Sequence, residues 1–379
     1  MVQVSFLYPS PSAIPSRLLA NRWPGTSSLD SSATTSQEVT MVFLFVISFV
    51  GAYHLTLLSF SFARFILSTF LLPGVSLRKY KAVTGKGNPD AGAGAADSSW
   101  AIVTGASDGI GAEFAKQLAK KGFNVVLASR TESKLRSLAS EIAASSPSVE
   151  TKVVAIDFAT AGPKAEKGWA DLKSAVEGLD VGVLVNNVGV SHSMPVPFAE
   201  TSDGEIDSIV NVNISSLLKV TKLVLPGMQK RRRGLILNLG SFAGQYPTPL
   251  LATYSGSKSF LISWSQALGA EQQGLRTGVD VVALNTYFVV SAMSKIRKSS
   301  FLVPTPKQYV SSVLSKVGNS GGAGGRPFSA TLWPAHAMVD WALANLLPSE
   351  GWLLDYSFGQ SLSTRKRALR KAERESKAQ

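Results

Sequence analysis

The chain contains no cysteine and only three histidines among its 379 residues. The absence of cysteine excludes disulfide bonds, a catalytic thiolate and zinc sites with sulfur ligands. The histidines, His54, His192 and His336, lie too far apart in the sequence to form a local metal-binding motif, so we predict no metal site. Any redox chemistry must therefore come from a cofactor other than a metal.

Acidic residues are also scarce, since 25 Asp and Glu stand against 38 Lys and Arg, a formal net charge of +13. The basic excess follows an apolar run, at Arg78, Lys79, Lys81 and Lys86, and recurs in the tail from Arg365 to Lys377. This tail has the composition of a solvated helix or a disordered arm. No nucleic-acid-binding module accompanies it, so we favour a solubilising or membrane-surface role over binding to nucleic acid.

Charged residues are missing from Met41 to Ala63, a run long enough to cross a hydrocarbon core of roughly 30 Å as a helix. Arg64 interrupts this run, and apolar residues then continue to Pro73. We predict a transmembrane anchor over residues 41–73, after a disordered segment over residues 1–40 that is rich in Ser, Pro and Thr. The basic residues that follow the anchor place its C-terminal side in the cytosol.

The stretch AIVTGASDGIGAEFAKQLAKKGFNVVLASR alternates a short apolar run, glycines, an amphipathic helix and a second apolar run. This pattern is typical of a nucleotide-binding β-α-β unit, and it predicts an α/β fold with a Rossmann-type, doubly wound parallel sheet. Glycines in a TGxxxGxG spacing let backbone amides and a helix N-terminus face a pyrophosphate. The predicted cofactor-binding residues of this loop are Thr104, Gly105, Ser107, Asp108, Gly109, Ile110 and Gly111.

Four further positions lie at the ends of predicted strands. Arg130 stands where enzymes that use NAD usually carry an acid, and a cation there favours the 2′-phosphate of NADPH. Asp157 ends the next strand, where it could meet the adenine. Asn186 and Asn187 end a later strand at the edge where open α/β folds bind ligands, although side chains that tie loops together are an equally good interpretation of Asn187.

The catalytic residues are predicted to lie in the segment LILNLGSFAGQYPTPLLATYSGSKSF. A strand ends near Ser241, and a helix then presents Tyr254 and Lys258 four residues apart, on one face. An ammonium beside a phenol lowers the phenol pKa, so Tyr254 would act as general acid while Ser241 holds the substrate oxygen. Alone, each of these residues would be interpreted as ordinary packing or surface.

Together, TGASDGIG, NNVG, the serine and YSGSK resemble the short-chain dehydrogenase/reductase family over roughly residues 98–300. The resemblance implies that Asn213 is a fourth catalytic residue and that Tyr254 and Lys258 also contact the cofactor. It further implies cofactor contacts for Val289 and Ser291. Two departures from the usual pattern stand out: Val188 replaces an alanine, and Thr286 and Tyr287 replace Pro and Gly.

The stretches NNVGVSHSMPVPF, PTPLLATYSGSKSFLISWSQAL and NTYFVVSAMSKIRKSS resemble fungal very-long-chain 3-oxoacyl-CoA reductases of the endoplasmic reticulum. This resemblance implies NADPH-dependent reduction of 3-oxoacyl-CoA in fatty acid elongation, together with the other elongation enzymes and membrane lipid. A 17β-hydroxysteroid dehydrogenase, another lipid-ketone reductase and a non-catalytic scaffold remain as alternatives.

The expected organisation continues with a linker over residues 74–97, an NADP-binding reductase domain over residues 98–350, and a C-terminal segment over residues 351–379. His192 is interpreted as an ordinary loop histidine, with substrate contact as the alternative. The region from Phe301 to Pro348 supplies either a lid over an acyl channel or helices that pack on the core.

Overall fold

A computed structural model describes residues 31–82, 99–318, 325–346 and 349–377. Residues 83–97 of the predicted linker lie outside these ranges, as do residues 1–30 of the N-terminal segment, whereas Leu77 and Tyr80 at the start of the linker are buried. The chain divides into two compact units, Met1–Leu57 and Leu58–Gln379.

The first unit consists, in its described part, of most of helix α1, which runs over Ser31–Ile66. Residues 31–40, assigned to the N-terminal segment from sequence, are therefore helical. Apolar side chains from Met41 to Tyr53 are solvent-exposed in the absence of a membrane. The segment Ser36–Leu71 is long and apolar enough to span a bilayer, and none of its most apolar window is buried.

A second helical segment of the described residues, Asp203–Lys230, passes the same test, but 44% of its most apolar window is buried. This burial is typical of a core helix in a globular domain. The N-terminal helix is thus the better candidate for a membrane span.

The second unit is built on a parallel sheet. In its described residues the sheet has seven strands in the order β3-β2-β1-β4-β5-β6-β7, and every neighbouring pair is parallel. The strands are β1 (Ser99–Thr104), β2 (Asn124–Ser129), β3 (Thr151–Ala155), β4 (Asp180–Asn186), β5 (Gly234–Leu239), β6 (Val279–Leu284) and β7 (Ser329–Ala330). The strand order reverses at β1, so the sheet is doubly wound, as predicted.

Helices lie on both faces of this sheet. The helices of this unit after α1 are α2 (Gly109–Lys120), α3 (Glu132–Ser145), α4 (Pro163–Val176), α5 (Asp203–Val210), α6 (Ser216–Lys230), α7 (Phe242–Gln245), α8 (Ala252–Gly274), α9 (Pro306–Lys316), α10 (Pro334–Leu346) and α11 (Glu350–Lys377). Side chains alternate between the faces of a strand, and β1 shows this directly. Ala101 and Val103 enter a core with α2, α3 and α9, whereas Trp100 and Ile102 enter a core with α4 and α6.

Helix α9 belongs to the first of these cores. Tyr309, Val310 and Val313 are almost completely buried there. For α9, the packing interpretation of the region from Phe301 to Pro348 therefore holds rather than the lid. The basic tail is likewise part of a helix, α11, instead of a disordered arm.

The end of α1, within the second unit, packs on α10. The ring of Phe65 stacks on Trp341 with centroids 5.9 Å apart, and the indole nitrogen of Trp341 donates a 3.1 Å hydrogen bond to the Ser61 hydroxyl. Arg64 does not break the helix, because α1 continues past it to Ile66 and a π-helical turn follows over Leu67–Leu71.

Candidate active site

The loop after β1 makes a tight turn that only glycine fits at two positions. Gly105 has a φ of +65°, and a Cβ there would lie 2.9 Å from the side chain of Asn187. A Cβ on Gly111 would clash with the carbonyl oxygen of Gly105. The Asp108 carboxylate caps the start of α2 by accepting a 2.6 Å hydrogen bond from the Gly109 N–H. The result is a glycine cradle at a helix N-terminus, which fits a dinucleotide pyrophosphate.

Asn187 holds this cradle rather than facing a ligand. Its amide donates to the carbonyl oxygens of Thr104 and Gly105 at 3.0 and 3.1 Å. The Thr104 hydroxyl in turn accepts hydrogen bonds from the backbone N–H groups of Asn187 and Val188. The loop-tying interpretation of Asn187 is therefore the one that the contacts support.

Arg130 follows the last residue of β2 and is solvent-exposed. The hydroxyl of the preceding Ser129 lies 2.9 Å from the hydroxyl of Ser107, so the end of β2 and the glycine cradle are linked side by side. Asp157 caps its own turn by accepting a 3.0 Å hydrogen bond from the Ala159 N–H. Both predicted positions thus lie at the carboxyl edge of the sheet.

Ser241, Tyr254 and Lys258 come together at the carboxyl end of β5. Ser241 caps α7, and its hydroxyl also forms a side-chain hydrogen bond with Tyr254. Lys258 is 5% exposed, its ammonium lies 6.0 Å from the centroid of the Tyr254 ring, and it donates a 2.7 Å hydrogen bond to the Leu239 carbonyl. The predicted triad is therefore one spatial cluster.

The electrostatics of the cluster differ from the sequence expectation. Burial raises the pKa of Tyr254, and the hydrogen bond with Ser241 opposes that rise. Burial also lowers the pKa of Lys258 to about 8. The expected net lowering of the phenol pKa was wrong, because burial raises it more than the hydrogen bond with Ser241 lowers it.

Asn213 lies in a π-helical turn, Asn211–Ser215, between α5 and α6. Its amide exchanges 2.9 Å hydrogen bonds with the backbone N–H and C=O of Val190 and donates another to Ser257, the neighbour of Lys258. A Cβ on Gly189 would lie 3.4 Å from both Asn213 Oδ1 and Lys258 Nζ. The glycine therefore lets these two polar groups approach the same side of the site.

The order of these elements matches a known protein family. The family model described as short chain dehydrogenase matches residues 99–300, which contain the glycine cradle and the Ser-Tyr-Lys cluster. The chain belongs to the short-chain dehydrogenase family.

This short-chain dehydrogenase has close curated relatives. The very-long-chain 3-oxoacyl-CoA reductase of Mycosarcoma maydis is 54% identical over 332 residues, which cover 87% of this chain and 90% of the relative. The protein of the same description from Emericella nidulans is 47% identical over 340 residues, which cover 89% and 92%. Among solved structures, a 7β-hydroxysteroid dehydrogenase matches with a TM-score of 0.59 and 25% identity, over 68% of this chain and 96% of its own.

Asn186, the last residue of β4, is tied into the interior of this dehydrogenase domain. Its side chain is buried and donates hydrogen bonds to Thr221 at 3.0 Å and to Asn238 at 2.9 Å. These partners join β4 to α6 and β5, inside the domain. The amide nitrogen of Asn186 therefore links neighbouring elements of the sheet, whereas its Oδ1 has no hydrogen-bond partner among the described residues, and its contact with the cofactor stays a prediction.

Ser291 lies against the glycine cradle, since a Cβ on Gly109 would be 3.8 Å from the Cβ of Ser291. Val289 is buried in the core shared with α2. The hydroxyl of Ser294 donates to the Val289 carbonyl at 2.7 Å, and Ser291 forms an isolated β-bridge with Ile296. The loop after β6 is thus folded back toward the cradle at the position that the resemblance implied.

His336 holds the backbone of the loop after β6, a role that no local pattern around it predicts. It is fully buried, its Nδ1 accepts a hydrogen bond from the Tyr287 N–H at 3.4 Å, and its Nε2 lies 3.0 Å from the Leu302 carbonyl. Burial lowers the pKa of His336 to about 4, so the ring is neutral near pH 7 and its Nε2–H is the donor to Leu302.

Thr286 is also fixed, by a 2.6 Å hydrogen bond between its hydroxyl and that of Tyr309, and its carbonyl accepts from the Phe242 N–H at 3.0 Å. Side chains from α9 and α10 thus hold the Thr286-Tyr287 turn that replaces Pro-Gly. Because α9 and α10 are distant from this turn in the sequence, local patterns do not predict these contacts.

His192 lies in the loop after β4, as expected, but it is buried. Its Nδ1 is 3.6 Å from a carboxylate oxygen of Glu205. The other oxygen of that carboxylate accepts a 2.7 Å hydrogen bond from the Ser193 N–H. His192 therefore packs where this loop joins the start of α5.

Proposed function

We propose that the protein reduces very-long-chain 3-oxoacyl-CoA to 3-hydroxyacyl-CoA with NADPH, as a step of fatty acid elongation. The observation that carries the proposal is the meeting of Ser241, Tyr254 and Lys258 at the end of β5, beside the glycine cradle. Relatives that match most of the chain at 45–54% identity are described as very-long-chain 3-oxoacyl-CoA reductases. Their descriptions support the choice of substrate.

Each residue of the cluster has a distinct part in the reaction. The Ser241 hydroxyl, fixed at the start of α7, donates a hydrogen bond to the ketone oxygen as negative charge grows on it. The Tyr254 hydroxyl, bonded to Ser241, gives that oxygen its proton. Lys258 in its protonated form stabilises the phenolate that remains, and Asn213 orders the backbone around Val190. Bound NADPH supplies the hydride.

The position of Arg130 supports NADPH as the cofactor. The exposed guanidinium follows β2 next to the Ser107–Ser129 pair, where a ribose 2′-phosphate would reach it. Cofactor contacts are proposed for the cradle (Thr104, Gly105, Ser107, Asp108, Gly109, Ile110, Gly111), for the strand ends (Asp157 and Asn186) and for Tyr254, Lys258, Val289 and Ser291.

We further propose that the reductase domain, residues 98–350, is held at the endoplasmic reticulum membrane by residues 41–73 and faces the cytosol. The apolar helix with basic residues after it supports this arrangement. An acyl chain that is sparingly soluble in water favours an enzyme at the bilayer, in contact with membrane lipid. The condensing enzyme, dehydratase and enoyl reductase of elongation are the proposed partners.

A steroid or other lipid ketone is the second candidate substrate, favoured by the likeness to the 7β-hydroxysteroid dehydrogenase. Purified full-length protein should be given NADPH with a very-long-chain 3-oxoacyl-CoA and, separately, a steroid ketone. We expect a much higher kcat/KM with the acyl-CoA, and preference for the steroid would overturn the assignment.

The scaffold alternative is tested with Tyr254→Phe, which removes one hydroxyl and keeps the ring. We expect kcat to fall by roughly 10²–10⁴-fold, the usual contribution of a general acid, with NADPH binding preserved. In cells that depend on this reductase, survival of elongation with the variant would favour the scaffold.

A further inference from the structure

A row of aromatic rings starts at the active site and leads away from it. Phe242 follows Ser241 directly, and its ring lies 5.1 Å from that of Tyr287. The ring of Tyr287 in turn lies 4.7 Å from Phe288. Because each ring contacts the next, the three rings form an apolar path. Its inner end is Phe242, the residue after Ser241, whose hydroxyl would hold the ketone.

The outer part of this path is open to solvent. Tyr287 is 38% exposed and Phe288 46%, whereas Phe242 is buried. Leu302 and Met338 are also exposed large apolar side chains of the elements that pack around His336. Exposed apolar surface that borders a catalytic cluster indicates a binding surface for an apolar ligand.

Hydrogen bonds fix the backbone that carries these rings. His336 binds the Tyr287 N–H, and the Thr286 hydroxyl is bonded to Tyr309, so the backbone under the rings is fixed from two helices. Rings fixed in this way offer contact area without losing much conformational entropy when a ligand binds. The turn would lack the Tyr287 ring if it had the glycine that the family usually carries there.

Helix α11 extends the aromatic surface. Trp352 and Tyr356 stack with centroids 5.6 Å apart at 11°, and they are 52% and 55% exposed. Burial raises the pKa of Tyr287, and the nearby Tyr356 raises it further. Arg365 fastens α11 to the loop after β4 through the Pro195 carbonyl and Glu200.

We propose that the exposed faces of Tyr287, Phe288, Tyr356 and Trp352, which we name the aromatic row, bind the hydrocarbon chain of the substrate and confer preference for long chains. This inference rests on the proposed function and deepens it. The row begins at Tyr287, whose ring packs on that of Phe242, the residue after Ser241. A chain attached to a ketone held by Ser241 therefore lies along the row. Short chains end before its outer members.

The test compares long and short substrates in single variants of the full-length protein. Tyr287→Ala, Phe288→Ala and Trp352→Ala are assayed with 3-oxoeicosanoyl-CoA and 3-oxooctanoyl-CoA, both below their micelle concentrations. We expect Tyr287→Ala and Phe288→Ala to lower the long-to-short ratio of kcat/KM by roughly tenfold, the effect of losing part of a buried aromatic contact. For Trp352→Ala we expect a smaller loss, confined to the long substrate.

Leu275→Ala is the control, because Leu275 is also an exposed apolar residue but lies at the far end of α8, near the start of β6. The long-to-short ratio of kcat/KM in Leu275→Ala should equal that of the wild type. Binding of unreactive eicosanoyl-CoA, measured by calorimetry, should weaken in Tyr287→Ala and stay unchanged in Leu275→Ala. NADPH affinity and melting temperature verify that each variant is folded.

The outcomes separate the two proposals. A wild-type protein that reduces neither acyl-CoA contradicts the proposed function. A wild-type protein that reduces both, with the same long-to-short ratio in every folded aromatic variant, overturns the aromatic row and leaves the function standing. Unchanged eicosanoyl-CoA binding in Tyr287→Ala would count against the row as well.

Discussion

The ammonium of Lys258 donates a 2.7 Å hydrogen bond to the carbonyl oxygen of Leu239, the last residue of β5. Two residues later the chain reaches Ser241, so one contact sets the distance between the helix that carries Tyr254 and the strand end that carries the serine. Because Lys258 is buried, its charge has lost most of its water, and this desolvation lowers its pKa from 10.5 to about 8.

The first prediction concerns the pH dependence of catalysis. If the protonated form of Lys258 is required, kcat/KM for ketone reduction should fall as pH rises through about 8, since this parameter reports ionisations of the free enzyme. The same lowered pKa means that folding favours the neutral amine. Stability from this group is present above pH 10.5 and is lost as pH falls toward 8.

Both parts of this prediction are measurable on the wild type and on Lys258→Met. The variant should have a flatter unfolding free energy between pH 8 and 10.5, because its side chain does not titrate. A wild-type rate profile that stays level to pH 10 would contradict the assigned role of Lys258.

The second prediction uses a close helix contact. A Cβ on Gly244 would lie 2.5 Å from the backbone carbonyl carbon of Lys258, so Gly244→Ala must push α7 and α8 apart. A displacement of about 1 Å at a catalytic group can cost roughly a hundredfold in rate, and we expect kcat to fall by at least tenfold.

Gly256→Ala is the control for Gly244→Ala. Gly256 is on α8 two residues before Lys258, and among the described residues nothing lies within 4 Å of its added Cβ. Alanine should stabilise the helix there by about 0.5–1 kcal/mol and leave kcat close to that of the wild type. Equal rates in the two alanine variants would show that the α7–α8 spacing does not position Lys258.

The glycine cradle and the doubly wound sheet could be predicted from sequence because both depend on local patterns. Gly105 and Gly111 are required by a turn of a few residues, and β1 and β2 are short apolar runs with that turn and one helix between them. The same locality explains why Tyr254 and Lys258 were found together, since four residues of helix place them on one face.

Contacts between distant segments could not be predicted from local sequence patterns. The hydrogen bonds of Asn186 to Thr221 and Asn238 were not predicted, because these partners follow it by 35 and 52 residues. His336 reaches back 49 residues to Tyr287, and nothing near either residue predicts that hydrogen bond. The direction of the Tyr254 pKa was also wrong, because burial is a property of the packed domain and outweighs sequence neighbours.

The third prediction tests the choice of nicotinamide cofactor. Arg130→Asp exchanges a cation for an anion at the end of β2, which repels a 2′-phosphate and accepts ribose hydroxyls. We expect the ratio of kcat/KM for NADPH over NADH to fall by roughly a hundredfold, about 2.7 kcal/mol.

The control for Arg130 is Arg136→Asp, on α3, where the arginine is paired with Glu132 on the helix surface. It makes the same charge change a short distance away and should leave the ratio within about twofold. A fall of equal size in both variants would mean that overall charge, rather than a specific contact, selects the cofactor.

The fourth prediction concerns His336, which holds the Tyr287 turn. His336→Phe keeps an aromatic ring but leaves the Leu302 carbonyl and the Tyr287 N–H without their side-chain partner. Near pH 7 we expect the unfolding free energy to fall by about 1–3 kcal/mol, the usual cost of a buried polar group that loses its hydrogen bond. We also expect the KM for NADPH to rise, because Val289 and Ser291 follow this turn.

Lowering the pH should reduce the difference in unfolding free energy between the wild type and His336→Phe. The pKa of His336 is lowered from 6.5 to about 4 in the folded protein, so folding favours the neutral ring. Its contribution is present above pH 6.5 and is lost as pH falls toward 4, while phenylalanine does not titrate. Denaturant unfolding of both proteins at several pH values measures the gap. A gap that stays constant between pH 7 and 4.5 would show that the buried ring does not couple stability to protonation.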